Sequence, residues 1–346
     1  MRAMILAAGF GTRLQPLTDR YPKPLLPLMF QPMLGHVLEQ LQQQGVRDVA
    51  INLHHRAAAL AQWLGDGHRW GLHMLLSHEP EILGTAGGLK QVERFLQDEP
   101  FLVINADVLI DLDLRAVWQW HCARDAMVTM VVRPDPAAHT YGPVVLDAAD
   151  RVLQINGRPQ VNPGLVGQTT VFTGVQIVSP PVLGRIPPGR ACSTTADIYP
   201  QLILDKQTIY GYRSSGYWMD IGVPERYLQV HWDILDGALG TQWLERLPPG
   251  SRVILHDLPT ARDVSPATMH PPVVLAEGVT CAPGASIGPY AVLGAGCYIG
   301  PGAVVQQSVV WEGVRIAAHA RVSRSILGAG VRVPEACILS DVIRVD

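Results

Sequence analysis

From Leu275 onward a small or apolar side chain returns every six positions, at Leu275, Cys281, Ile287, Leu293, Ile299 and Val305. Two residues ahead of each stands a valine or a small residue: Val273, Val279, Ala285, Ala291, Cys297 and Ala303. After one dropped residue the beat resumes at Val310, Ile316 and Val322. An amphipathic helix needs a period near 3.6, so six excludes it. A hexapeptide period with inward apolar residues and small corners specifies a parallel β-helix, in which each coil buries its apolar row against the next. The signal spans residues 273–333, room for roughly three triangular coils if a coil takes three hexapeptides. So short a stack leaves apolar ends that are capped or paired with another copy, so a homo-oligomer formed through this region is expected.

The preceding residues keep a different rhythm. Met4–Ala7 is a short apolar strand ending in a glycine turn, and Pro32 opens a helix with Leu34, Val37, Leu38 and Leu41 on one face and Gly45 past its end. Strands follow at Val49–Leu53, Leu72–Leu76, Phe101–Ile104 and Met127–Val132, and Leu89, Val92, Phe95 and Leu96 mark a second amphipathic helix. Such alternation predicts an α/β domain: a mainly parallel, Rossmann-like sheet with helices on both faces and its ligand at the carboxyl ends of the strands. Pro248-Pro249-Gly250 and Pro266 interrupt any long element between the two halves. The expected division is therefore 1–240, a linker over 241–270, and a β-helix over 271–346.

Composition narrows the function. A net charge of -3 carries no basic footprint for nucleic acid. No apolar run approaches the roughly 18–20 residues that span a bilayer, so no membrane role and a cytoplasmic location are expected. The five cysteines (Cys122, Cys192, Cys281, Cys297 and Cys337) form no CxxC pair, as suits reduced, packed thiols. His54-His55 has no partner at metal-site spacing and is read as loop. Trp118 and Trp120 are read as packing residues.

The first strand runs into Leu6-Ala7-Ala8-Gly9-Phe10-Gly11-Thr12-Arg13-Leu14, where Gly9 and Gly11 allow a tight turn that brings N–H groups near phosphate oxygens. Arg13 offers several donors to a polyphosphate. Lys23 projects from a frame stiffened by Pro22 and Pro24. This is neither GxGxxG nor a P-loop. Taken whole, LAAGFGTRLQPLTDRYPKPLLPL resembles the signature of the sugar-1-phosphate nucleotidyltransferases, and the likeness continues over nearly the whole chain. Ser77-His78-Glu79 and Glu81-Ile82-Leu83-Gly84-Thr85-Ala86-Gly87-Gly88 are similar to the family's nucleotide- and sugar-contacting segment. Val103-Ile104-Asn105-Ala106-Asp107 resembles the stretch bearing its first metal-binding aspartate, and Gly216-Tyr217-Trp218-Met219-Asp220-Ile221-Gly222 the stretch bearing the second. Tyr141-Gly142 matches a pair lining the sugar pocket. The wording is closest to mannose-1-phosphate guanylyltransferases with a C-terminal left-handed β-helix.

The resemblance implies a nucleoside triphosphate and a sugar 1-phosphate as substrates, and Mg²⁺ held by Asp107 and Asp220. It assigns the nucleotide to Leu6, Ala7, Ala8, Gly9, Gly11, Thr12, Arg13, Glu81, Gly84, Thr85 and Gly87. Lys23, Tyr141, Gly142, Arg158, Thr173 and Gly174 fall to the sugar phosphate, with Arg13, Lys23, Asp107 and Asp220 catalytic. Two departures concern the sugar. Relatives carry Glu-Lys-Pro where this chain has Gly157-Arg158-Pro159, so Arg158 inherits a phosphate contact but Gly157 supplies no carboxylate. Phe172-Thr173-Gly174 stands in place of Asn-Ala-Gly, as in the branch acting on N-acetylmuramic acid 1-phosphate or heptose 1-phosphate. A sugar-nucleotide-binding regulatory subunit is the non-enzyme alternative, although such subunits lose the groups this chain keeps. His319 sits inside the repeat with no insertion around it, against an acyltransferase role.

Overall fold

Four apolar runs that end beside one another organise the first part of the chain. The computed structural model describes residues 1–136, 138, 142–160, 167–255 and 267–346. The chain folds as two compact units, each assembled from two segments: Met1–Phe10 with Leu34–Asp220, and Gly11–Met33 with Ile221–Asp346. Compactness thus divides the chain at Asp220, whereas 240 is the boundary expected from sequence.

In the first unit β1 (Arg2–Leu6) lies between β2 (Asp48–Leu53) and β4 (Phe101–Asn105), parallel to both, and β3 (His73–His78) continues the parallel run beyond β2. A short β5 (Val108–Ile110) follows β4. The remaining strands are β6 (Val128–Arg133), β7 (Pro143–Leu146), β8 (Val152–Ile155), β9 (Gln168–Val178), β10 (Ile209–Arg213) and β11 (Trp218–Asp220). The nine-stranded sheet runs β8-β7-β9-β4-β1-β2-β3, with β6 joining alongside β9 and β10 alongside β6. It is more mixed than expected, because β9 pairs antiparallel with β4, β6 and β7. β1 and β4 expose nothing above 1 % at Ala3, Met4, Ile5 and Phe101–Ile104, as strands covered on both faces must.

Helix α1 (Met33–Gln43) forms where the apolar spacing placed it, with Leu34, Val37, Leu38 and Leu41 buried. After α2 (Ala57–Leu64), the second expected helix is different from its reading. α3 (Gly84–Gln91) begins earlier, and the chain breaks at Val92 before one further turn, Glu93–Leu96. α4 (Leu114–Ala123) is capped by Asp113, whose carboxylate accepts from the Arg115 and Ala116 N–H groups at 2.9 and 3.1 Å.

In the second unit α5 (Pro224–Leu235) precedes a stack of parallel strands on three faces. Leu275, Leu293 and Val310 are register partners, as are Ile299 and Ile316, and Val305 and Val322. The partner spacing drops from 18 residues (Leu275 to Leu293) to 17 (Leu293 to Val310), which is the dropped residue of the sequence. The shorter coil then persists through Ile343, so the stack is longer than the roughly three coils expected. Within 241–270, a short helix (Gln242–Glu245) is followed by strand Arg252–Ile254, which pairs antiparallel with Val273–Leu275 at the start of the stack. Among the described residues no helix is long and apolar enough to cross a membrane.

His121 on α4 gives the first unit a pH response. It is 1 % exposed, with Nδ1 2.9 Å from Thr129 Oγ1 and Nε2 3.0 Å from Ser179 Oγ. Ser179 donates its proton to the Ala126 carbonyl, so Nε2 donates to Ser179 and Nδ1 accepts from Thr129: the ring is neutral. Burial pushes its pKa down to about 4, against a smaller upward pull from Asp125. The unfolded chain therefore takes up this proton first, and stability falls as pH drops from about 6.5 to about 4. Urea midpoints between pH 7 and pH 4.5 should show a loss of about 2–3 kcal/mol that His121→Gln lacks.

Candidate active site

β1, β2 and β4 finish side by side: Leu6 is the register partner of both Asn52 and Asn105. The backbone groups left over at this edge need partners. The Ala7 N–H donates to Asn52 Oδ1 at 2.7 Å, and the Ala106 N–H donates to the Leu6 carbonyl at 3.0 Å. Leu6 and Ala7 are thereby fixed, Ala8 is buried beside them, and Gly9 follows, exposed. A Cβ at Gly9 would meet nothing within 4 Å, and its φ is outside the left-handed region. Neither backbone strain nor packing within the protein demands glycine there.

Asn52 also joins this edge to the second sequence segment. Its Nδ2 donates to Glu79 Oε1 at 2.8 Å, and Glu79 Oε2 accepts the Leu83 N–H at 2.9 Å. Both side chains are 3 % exposed. Gly88 allows this pair to approach α3, since a Cβ there would lie 2.9 Å from Asn52 Nδ2 and from Glu79 Oε1. These two residues were missed from sequence. Glu79 closes the Ser77-His78-Glu79 motif with no role assigned to it, and Asn52 is a lone polar residue near the end of an apolar run, the one signal available. Glu81, the carboxylate singled out from sequence, is exposed.

The Gly84–Gly87 turn has partners of its own. The Ala86 and Gly87 N–H groups at the start of α3 donate to the Cys192 carbonyl at 2.9 and 3.3 Å, and Cys192 N–H donates to Leu83 carbonyl at 2.9 Å. Gly84 has φ +70°, and a Cβ on it would lie 2.7 Å from the Cys192 carbonyl oxygen. Thr85 Oγ1 accepts from the Thr194 N–H at 2.8 Å. Gly84, Thr85 and Gly87 are thus locked to the Cys192–Thr194 stretch.

Asp107 and Asp220 occupy neighbouring backbone positions. Asp107 lies two residues past β4 and directly before β5, and Asp220, at the end of β11, is the antiparallel register partner of Val108. Both are partly buried. Thr173-Gly174 lies against the same place. The pairing of β9 with β6 shifts between Phe172 and Gln176, Gly174 takes φ +82°, and a Cβ on it would meet Asn105 Nδ2 at 2.7 Å. Thr173 Oγ1 donates to the Val131 carbonyl at 2.8 Å, and its own carbonyl accepts the Trp218 indole N–H at 2.9 Å.

Arg158 stands at the tip of a hairpin. Ile155 and Arg158 exchange two backbone hydrogen bonds, 2.7 and 2.9 Å, around Asn156 (φ 51°) and Gly157 (φ 76°). Asn-Gly is the pair this two-residue turn favours, because both centres need positive φ. That gives Gly157 its structural reason and leaves Arg158 exposed. Gly142 packs on Asn156, and Tyr141 lies outside the described residues.

Gly11, Thr12, Arg13 and Lys23 belong to the second unit. Gly11 has φ +66°, a Cβ there would meet Thr18 Cγ2 at 2.9 Å and Lys23 Cβ at 3.0 Å, and its carbonyl accepts from Thr18 Oγ1 at 3.0 Å. Glycine at 11 is required by the fold. Thr12 and Arg13 are exposed on a single 3₁₀ turn, whereas Lys23 is only 9 % exposed.

A Rossmann-like sheet with a glycine turn after its first strand, and two aspartates on neighbouring backbone positions just past β4, is an α/β arrangement suited to holding a ligand at the carboxyl ends of its strands. The chain belongs to the Nucleotidyl transferase family, whose profile matches residues 2–237, and the profile described as GMPPB C-terminal domain matches residues 269–344. It is similar to the UTP–glucose-1-phosphate uridylyltransferase of Synechocystis, 32% identical over 338 residues, covering 93% of this chain and 85% of that one. The mannose-1-phosphate guanylyltransferase of Mycobacterium tuberculosis is 34% identical over 238 residues, covering 68% of this chain and 65% of that one. Among solved structures, HddC from Yersinia pseudotuberculosis complexed with GMP-PN has 25% identity and a TM-score of 0.56, over 66% of this chain and 97% of that one. The chain is a sugar-1-phosphate nucleotidyltransferase.

The glycines should separate in thermal and urea unfolding. Gly9→Ala is expected to change stability by no more than about 0.5 kcal/mol. Gly88→Ala, which drives a methyl into the Asn52–Glu79 pair, should cost about 1–3 kcal/mol.

Proposed function

We propose that the chain joins GTP and mannose 1-phosphate into GDP-mannose and pyrophosphate. The observation that carries a transfer site is the register of Asp220 on Val108, beside Asp107. Two carboxylates without a histidine or cysteine make a donor set for a hard cation, so the residues fit Mg²⁺. When bound, the ion supplies charge that offsets repulsion between the phosphates. Arg13, with the Gly9–Thr12 backbone, binds the triphosphate, and the room around Gly9 suits close approach of a ligand. Lys23 neutralises the α-phosphate and the attacking phosphate. Arg158, with Gly142, Thr173 and Gly174, serves the sugar phosphate. An anionic sugar-phosphate oxygen forms the new bond to the α-phosphorus, the bond to the β-phosphate bridging oxygen breaks, and pyrophosphate leaves with that electron pair. The attacking oxygen needs no general base, so positioning and electrostatics carry the rate.

Guanine is supported by the M. tuberculosis relative's name, by the GMPPB profile and by the GMP-PN bound in HddC. One observation favours a second reading. The Asn156-Gly157 turn leaves no carboxylate where relatives hold a sugar hydroxyl, as suits N-acetylmuramic acid 1-phosphate with UTP, or heptose 1-phosphate with GTP. A homo-oligomer is part of the proposal, and light scattering at the mass of one 37.7 kDa chain would count against it.

Pyrophosphate release from four nucleoside triphosphates against several sugar 1-phosphates decides among these. The expected optimum is GTP with mannose 1-phosphate, and better use of UTP or dTTP would remove the guanylyl reading. Glu81→Gln should narrow the preference for GTP by about 1–3 kcal/mol, because a carboxylate accepts guanine's two adjacent donors together. Asp220→Asn should leave the melting curve in place and lower kcat by orders of magnitude.

A further inference from the structure

The second unit contains a cavity of about 380 Å³, within the size range of small-molecule sites. One wall is Leu25, Pro27 and Phe30, and the opposite wall is Val292, Val309 and Trp311 on the β-helix. Tyr21 meets Trp311 edge to face, ring centroids 5.1 Å apart. The polar atoms of Trp311, Tyr227 and His231 are already engaged. Trp311 Nε1 donates to Tyr227 Oη at 3.1 Å, and Tyr227 Oη donates to the Pro27 carbonyl. His231 accepts the Met29 N–H on Nε2 at 3.4 Å, which leaves Nδ1 to donate to the Tyr227 carbonyl at 2.7 Å. An aromatic or apolar body is what such a lining accommodates.

Among the described residues charge enters at two places. Glu277 and Glu312 line the cavity, each two residues past a register partner of the stack, with Ala295 at the same place on the coil between them. Both are exposed, and neither has an ion-pair partner among the described residues. Among the described residues no lysine or arginine lines the cavity. Two carboxylates without a counter-charge attract a cation and repel nucleotides and sugar phosphates.

We propose that this cavity is a regulatory site for a small organic cation, an aromatic or apolar body carrying a protonated amine. The body lies between the Tyr21–Phe30 stretch and Trp311, with the amine between Glu277 and Glu312. Lys23 sits in the same stretch, between Tyr21 and Leu25, and its carbonyl accepts the Leu26 N–H at 3.1 Å. Filling the cavity shifts that stretch and so changes turnover, a step that rests on the role proposed for Lys23.

Tryptamine is the probe, titrated calorimetrically into the full chain and added to the pyrophosphate-release assay. Saturable binding is expected, about tenfold tighter than that of indole-3-propionate, which has the same ring and the opposite charge. The double variant Glu277→Gln, Glu312→Gln should remove most of that difference, and Ala295→Trp, which fills the space, should abolish binding. At saturation tryptamine should alter kcat or KM. Absence of binding below about 1 mM, equal binding of the two indoles, unchanged binding in Ala295→Trp, or saturation that moves neither kinetic constant would overturn the proposal. A chain that turns over none of the substrate pairs would defeat the proposed function instead, and the calorimetry would still decide whether the cavity binds the cation.

Discussion

Parallel strands that stop together leave a row of unpaired backbone groups at one edge, and those groups must be satisfied before a ligand can be held there. Here Asn52 meets that requirement from the end of β2. Its carbonyl oxygen takes the Ala7 N–H, and its amide nitrogen donates to Glu79, whose other oxygen takes the Leu83 N–H. One buried side-chain pair therefore sets the spacing of the two segments that resemblance assigns to the nucleotide. Because both residues are buried, every polar atom of the pair is costly to leave alone, and the arrangement tolerates little slack. Cys192 does the same work for the start of α3, so the Gly84–Gly87 backbone is held in place by a neighbouring segment.

Much of this was legible in the residues. Periods of six and of 3.6 separated the β-helix from the α/β sheet, and Leu34, Val37, Leu38 and Leu41 marked α1 because one face of a helix and one core read the same spacing. What escaped is what periodicity does not encode. The antiparallel strand β9 reads like any apolar run, since strand direction is set by connections and not by composition. The break at Val92 is invisible because Leu89 and Phe95 keep apolar spacing across it. Gly157 looked like a lost carboxylate, yet Asn156-Gly157 is a local turn signal that the motif comparison overrode. Asn52 and Glu79 act through a contact 27 residues apart in sequence, which a single chain read without a structure does not reveal.

The glycines sort by the same logic. Gly11, Gly84 and Gly174 have positive φ and a neighbour at 2.9 Å or less from the missing Cβ, so the fold alone explains them. Gly9 has neither constraint. The fold therefore leaves a glycine at position 9 unexplained, and it is the role proposed for it at the triphosphate that accounts for the residue type.

The β-helix carries a further lesson in its outward row. On one face the outward positions are Thr280, Tyr298, Arg315 and Arg332, a polar ladder open to water. On another they are Val274, Val292, Val309 and Ile326, none more than 3 % exposed. A hexapeptide pattern explains only the inward row, so an apolar outward row on a single face means that something else in the chain covers it. Part of that cover is the Gly11–Met33 segment, which lines a common cavity with Val292 and Val309 and is tied through Tyr227 to Trp311. Each fully buried valine or isoleucine contributes roughly 1.5–3 kcal/mol, enough to group this early stretch of sequence with the last coils of the chain. The segment that carries Arg13 and Lys23 is thereby built on the β-helix, and the hexapeptide repeats support the loop proposed for the phosphates as well as the oligomer surface expected of them.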